Sequence, residues 1–400
     1  MTGSRAAATI YLDHAATTPL RDEVRQAIAA AETTGFANPS SPHALGRQAR
    51  RLLDDARERI LALLGARTTG RDRDRLVFTG GATEANRLAL LGMAGRDPVV
   101  CRYSARDHGS VVAAARQLAD RGCDVASVPL LSSGRLDCSG LDWPAAAPRR
   151  ILCTTLVCGQ TGSVEDLAAG RAAAGDCLIH VDATQAVAVE PIAFATLGVH
   201  TLAFAPHKFG GPRGIGCLVL RGDTAIAAVT PGPQEAGLRG GTEPVPLAVG
   251  CAVALESAVA AREQEARRLL ELRDRLEAGL VATAVAAGRA AIVIAAEASR
   301  AAHITTIAFP GIDRQAFVMA ADLEGVCCAT GTACASGSSL PAPAVEACVP
   351  PEVAAAAVRF SLGWTTTSSD VDEAIARLSG ILMRGAAQTA SGRPRSASAS

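Results

Sequence analysis

Short apolar runs alternate with amphipathic ones through the first half of the chain. The runs at 76–79, 99–102, 125–129, 151–156, 178–181, 201–205 and 216–220 are mostly apolar throughout, not alternating. Strands of that kind are buried on both faces, as in a parallel sheet covered by helices. Helical spacing falls between most of them, at 82–93, 109–120 and 164–174. Upstream, 21–31 has helical spacing, and 43–64 sets apolar residues at helical intervals among arginines and acids, which predicts a long amphipathic helix. Between these, Asn38-Pro39-Ser40-Ser41-Pro42 is a turn and cap cluster. A long helix is predicted over 245–284. Strands at 291–295, 304–309 and 358–362 follow, with helices at 314–322 and 369–383.

This pattern predicts an α/β fold: a mainly parallel seven-stranded sheet flanked by helices, with a smaller α+β unit behind it. The expected division is an N-terminal segment, 1–20, packing with the small domain; a large α/β domain, 21–250; and a small C-terminal domain, 251–385, carrying a small-residue loop at 329–342. The Ala/Ser/Arg/Pro-rich stretch 386–400 is expected to be a disordered tail.

Composition narrows the class. Of 400 residues, 49% are hydrophobic and 20% charged, which suits a soluble enzyme and not a disordered chain. A net charge of +0 argues against nucleic acid as a partner. No apolar run approaches the ~20 residues of a membrane span, so no membrane is expected. Residues 1–10 lack the apolar core of a secretion signal, and a cytoplasmic location is expected. There are twelve cysteines and no C-x-x-C pair, so no metal site is expected and the thiols should be reduced. Cys334 differs from the rest because it sits in a turn-rich loop of small residues.

Of the 39 Lys and Arg residues, a single one, Lys208, is lysine. A guanidinium cannot form a Schiff base, whereas a desolvated lysine amine can. Arginine-rich codon bias would also leave one surface lysine. Asp182 follows the apolar run 178–181, and Lys208 follows 201–205, so both are expected at the carboxyl edge of one sheet, where ligands bind in open α/β folds. That pair meets the needs of pyridoxal phosphate: an amine for the aldehyde and a carboxylate for the ring nitrogen. A helix cap would place an aspartate at 182 as well. Gly80-Gly81-Ala82-Thr83 before a helix could receive a phosphate or be only a tight turn. His108 opens the next predicted helix, where it could stack on a ring and exchange protons or simply cap the helix. Arg359, among apolar neighbours, could clamp a carboxylate or serve a structural ion pair.

Together these motifs resemble the cysteine desulfurases of the class V aminotransferase family, and more narrowly the long-loop branch that serves iron–sulfur cluster assembly. The resemblance runs from Tyr11-Leu12-Asp13 through Asn38-Pro39-Ser40, Gly81-Ala82-Thr83-Glu84, His180-Val181-Asp182-Ala183-Thr184-Gln185, His207-Lys208, Gly240-Gly241-Thr242 and Gly331-Thr332-Ala333-Cys334 to Arg359-Phe360-Ser361-Leu362-Gly363. It implies fold type I of the pyridoxal phosphate enzymes and a homodimer with its active site at the subunit interface. By resemblance, Lys208 carries the cofactor, Asp182 meets the ring nitrogen, Gln185 the ring oxygen, and His108 stacks on the ring. Ala82, Thr83 and His207 resemble phosphate contacts, and Thr242 resembles the one donated across the dimer. Arg359 and Asn38 resemble contacts to the carboxylate of L-cysteine. Cys334 resembles the nucleophile that takes up sulfur as a persulfide, leaves alanine, and passes sulfur to an acceptor. The chain departs from the family at Gly159, where an asparagine is usual, at Ala205-Pro206, where Ser-Gly is usual, and at 230–235. A selenocysteine lyase, another C–S lyase or aminotransferase of this class, and a non-catalytic scaffold remain alternatives.

Overall fold

The computed structural model describes residues 9–144, 149–331 and 340–391, with side chains through 384. A two-residue strand, β1 (Ile10–Tyr11), precedes α1 (Asp22–Thr34) and α2 (Ala44–Leu63). His43 starts α2, its Nδ1 accepting from the Gly46 N–H at 3.1 Å. Ala49, Leu53, Ala56 and Ile60 then fall on one buried stripe at helical spacing. The large sheet is built from β2 (Arg75–Thr79), β3 (Val100–Ser104), β4 (Asp124–Val128), β5 (Arg150–Thr155), β6 (Leu178–Asp182), β7 (Thr201–Phe204) and β8 (Gly216–Leu220). Its order is β2-β8-β7-β6-β5-β3-β4, all strands running one way except β8. Between the strands lie α3 (Ala82–Ala94), α4 (Gly109–Ala119), α5 (Leu167–Ala174) and the short α6 (Phe194–Leu197). Every residue of α3 from Leu88 to Ala94 is buried, because that helix is covered by the sheet on one side and α4 on the other.

The helix α7 (Val245–Ala286) leads to β9 (Ile292–Val293), β10 (Ile304–Ala308), α8 (Arg314–Leu323), β11 (Val326–Cys327), α9 (Pro343–Glu346), α10 (Pro351–Ala354), β12 (Ala357–Ser361) and α11 (Ser368–Ser391). Strands β12, β10 and β9 form an antiparallel sheet, and β1 pairs in parallel with β11. Leu12 is buried in the core of this second unit, beside Phe309, Val326 and Phe360.

Four differences from the sequence expectations have physical causes. The boundary expected at 250, inside the predicted helix 245–284, lies further along α7, between Ala258 and Leu269. The first half of α7, with Val245, Ala248, Leu255 and Ala258, packs in the sheet core, and its second half, with Leu272, Leu276 and Leu280, packs in the other. That helix is also long and apolar enough to cross a membrane by length and composition, a longer apolar stretch than expected; 44% of its apolar window is buried inside the fold. The helix expected from 164 starts at Leu167. Val164 is still extended, its N–H bonded to Ser299 O, and Asp166 caps the helix through Ala168 and Ala169. Finally, α11 continues to Ser391, past the expected start of a tail at 386, in keeping with the helix propensity of alanine. Residues 392–400 lie outside the described residues.

Candidate active site

Because β3, β6 and β7 are parallel, their carboxyl ends lie along one edge of the sheet. Asp182 ends β6, and the register sets it opposite Ala203 of β7. The chain leaves β7 into a single turn, Pro206–Lys208, that carries Lys208. His108 caps α4 just beyond β3. The β2–α3 turn, Gly80-Gly81-Ala82-Thr83, reaches the same edge and lies so close on β8 that a Cβ at Gly216 would meet Gly81 C at 2.3 Å.

Lys208 Nζ donates to the carbonyls of Ala15 and Ala16, both at 2.8 Å. The N-terminal segment is laced along the lysine turn. The Thr18 N–H and hydroxyl both donate to His207 O, and the Gly210 N–H donates to Thr18 Oγ1 at 2.7 Å. Gln185 Nε2 donates to Ala15 O at 2.8 Å, while its Oε1 faces His303 Nε2 at 3.4 Å. His207 meets Thr17 Oγ1 at 3.2 Å; burial first, then the nearby Lys208 and Arg213 charges, lower its pKa to about 4.

Asp182 is 3% exposed. The Thr184 N–H donates to its Oδ1 at 2.9 Å, and Asn86 Nδ2 to its Oδ2 at 2.8 Å. Beside it, Asp107 accepts from the Ser104 N–H and the Thr155 hydroxyl, yet burial raises its pKa to about 7. Arg359 Nη2 pairs with Asp13 at 2.7 Å and Nη1 donates to Gly159 O at 2.8 Å; its Nε is buried without a partner among the described residues.

Asn38 and Thr242 are exposed, and the structure ties their loops to each other. Arg50 donates from Nε to Pro39 O and pairs through Nη2 with the buried Glu243 at 3.1 Å. The Asn38 side chain closes its own turn, accepting from the Ser40 N–H at 2.8 Å. Ala82 and Thr83 stand at the start of α3, where Gly80 N–H is taken by Glu84 Oε2 at 2.6 Å. Cys334 lies outside the described residues. The cysteines near it in sequence are poor nucleophiles: burial pushes Cys328 up to about 12 and Cys348 up to about 11, and raises Cys327 as well.

The class V aminotransferase profile matches residues 10–374. The chain belongs to the class V aminotransferase family. A cysteine desulfurase of Bradyrhizobium diazoefficiens is 34% identical over 94% of this chain and 95% of its own length. An IscS-like cysteine desulfurase of Mycobacterium tuberculosis is 34% identical over 96% and 100%. A solved NifS-like protein superposes with a TM-score of 0.84 at 26% identity, over 94% of this chain and 99% of that one. The fold is type I of the pyridoxal phosphate enzymes, the cofactor class of this family.

The residues present fit such a group. Among the described residues each Asp182 oxygen accepts one hydrogen bond, Oδ1 from the Thr184 N–H and Oδ2 from Asn86 Nδ2, and so keeps a lone pair for a ring N–H. The lone lysine stands at the end of the neighbouring strand. The phosphate end is less well furnished: Ala205 has no side-chain donor, and Glu84 occupies one N–H of the helix start. Asn86 and Ser110, which were not among the residues expected from sequence, join Asp182 to His108. Asn86 did leave a signal, as a lone amide among the apolar residues of α3.

Proposed function

We propose that this chain is a pyridoxal phosphate-dependent cysteine desulfurase that converts L-cysteine to L-alanine and holds the sulfur as a persulfide on Cys334 for an acceptor. The observation that supports it best is Lys208 and Asp182 at the ends of adjacent parallel strands. Pyridoxal phosphate, when bound, supplies an aldehyde that condenses with amines and a ring that accepts electrons. Lys208 would hold the aldehyde, and its amine, once released, would serve as the base that takes the proton from the substrate carbon. Asp182 would keep the ring nitrogen protonated, Gln185 would meet the ring oxygen, and His108 would lie against the ring and move protons. Ala82, Thr83 and His207 would hold the phosphate, with Thr242 donated across the dimer. Arg359 and Asn38 hold the substrate carboxylate. The Cys334 thiolate then attacks the substrate sulfur: an S–S bond forms as the C–S bond breaks, and a proton completes alanine.

In this reading the protein is a homodimer in the cytoplasm. The exposure of Thr242 and of Phe36, 67% exposed beside Asn38, supports the dimer. The test is alanine and sulfide release from cysteine by wild type, Lys208→Ala and Cys334→Ser. Loss in both variants is expected, and full desulfuration by Cys334→Ser refutes the mechanism. The thin phosphate end favours a second reading, a scaffold that does no chemistry. Purified protein with no band near ~420 nm after added cofactor would select it.

A further inference from the structure

Two buried side chains, Asn86 and Ser110, link Asp182 to His108 by hydrogen bonds, and two more, His180 and Thr201, branch from Asn86. Asn86 is the centre. Its Nδ2 donates to Asp182 Oδ2 at 2.8 Å and to Ser110 Oγ at 2.9 Å, and its Oδ1 lies 3.0 Å from His180 Nε2. Which end of the amide is nitrogen follows from the partners. A carboxylate oxygen only accepts, so the group facing Asp182 must be the NH2. That leaves Oδ1 facing His180, whose Nε2 must therefore carry a proton. His180 Nδ1 then accepts from the Thr201 hydroxyl at 2.9 Å. Burial lowers the His180 pKa to about 4, in keeping with this neutral ring.

The consequence passes to the other end. Ser110 Oγ accepts from Asn86, so its own proton points to His108 Nδ1, 2.8 Å away. The Ser110 N–H also donates to His108 Nδ1, at 3.1 Å. Two donors face one ring nitrogen, and that nitrogen must be the unprotonated one.

We infer that Asn86 and Ser110 are positioning residues that orient Asp182 and hold neutral His108 as the Nε2–H tautomer. The inference rests on the reading of Asp182 and His108 as cofactor contacts for its role in catalysis, but not for its geometry. In that role Nδ1 is committed to Ser110, and Nε2 is the ring atom through which His108 gives and takes protons. Asn86 keeps the Asp182 carboxylate in place while leaving each oxygen a lone pair.

The test reads the tautomer directly. The chain has seven histidines, so nitrogen-15 NMR of labelled protein is tractable, with His108→Gln assigning the resonance. Wild type without cofactor should show a pyrrole-type Nε2 and a pyridine-type Nδ1 at His108. Ser110→Ala should raise the Nδ1–H share several-fold, and Ser110→Thr should restore the wild-type ratio. Circular dichroism and melting show whether each variant folds. A pyrrole-type Nδ1 in wild type, or a ratio unmoved by Ser110→Ala in folded protein, overturns the inference. The Asp182 arm is read by cofactor titration: Asn86→Leu should weaken binding about tenfold, the loss of one hydrogen bond to a charged group. Unchanged affinity in folded Asn86→Leu overturns that arm. If wild type itself takes up no cofactor, the proposed function fails, while the tautomer measurement still decides the hydrogen-bond geometry.

Discussion

Replacing Gly216 by alanine tests whether the phosphate end of the site depends on the close seating of the β2–α3 turn. The added Cβ would lie 2.3 Å from Gly81 C and 2.7 Å from Ala82 N and Gly81 Cα. Carbon contacts are comfortable near ~3.5 Å, so the turn or the strand must retreat by about 1 Å. All three atoms are backbone, so no side chain can swing away to absorb the change. Overpacking of this size costs about 1–3 kcal/mol of stability. The larger effect should fall on the site, where a displacement of ~1 Å can cost about a hundredfold in rate. Gly170 is the control: it lies in α5, and nothing is within 4 Å of a Cβ placed there. Gly170→Ala should leave activity alone and gain about 0.5–1 kcal/mol from helix propensity. Urea unfolding, cofactor titration and alanine release are measured on both. If Gly216→Ala binds cofactor and turns over like wild type, the claim that this contact shapes the site is wrong.

The ion pair of Arg106 and Glu165 is buried on both sides, with side-chain exposures of 0% and 2% and a 2.6 Å contact. Arg106→Met should cost about 3–5 kcal/mol by urea unfolding, because it leaves a buried carboxylate unpaired. In the second core, Leu276→Ala removes a fully buried side chain from α7 and should cost about 2–5 kcal/mol. Acid should destabilise the fold through its neutral histidines. His14, His180, His207 and His303 have pKa values lowered to about 4 from 6.5, chiefly by burial. The folded state therefore binds fewer protons than the unfolded one in that window. The contribution is whole above 6.5 and falls as pH drops toward 4, by up to about 3 kcal/mol per histidine. Asp107 acts the other way: with its pKa raised to about 7, its contribution is whole below 3.8 and is lost as pH rises through 7. Four groups outweigh one, so urea midpoints should fall between pH 6.5 and 4. In a His207→Asn, His303→Asn variant the fall should be much shallower than in wild type, with His14 and His180 carrying the remainder; an unchanged slope would refute the share given to those two.

What could be read in the sequence was what local pattern carries. Apolar runs at strand length marked all seven strands of the large sheet; six are buried nearly throughout and so must be apolar, while β4, at the sheet edge, buries only Val128. Lys208 was legible because it stands alone among arginines, and Asp182 because strand ends locate the edge of a parallel sheet. The extent of α7 was not legible as a domain boundary. A helix that serves two cores looks, in sequence, like any long amphipathic helix, and only its packing shows that Leu255 and Leu276 belong to different ones. The polar wiring was hidden for a related reason. Asn86 meets Ser110 24 residues away and Asp182 96 residues away, and Asp13 meets Arg359 across 346. No spacing rule spans such distances. Yet Asn86 and Arg359 each carried a local oddity, a polar group where the helix or strand around it called for an apolar one. Burial makes such a group costly unless it is partnered. A lone amide inside α3 was therefore already a statement that a partner exists, and the sheet edge two elements away was the place to look for it.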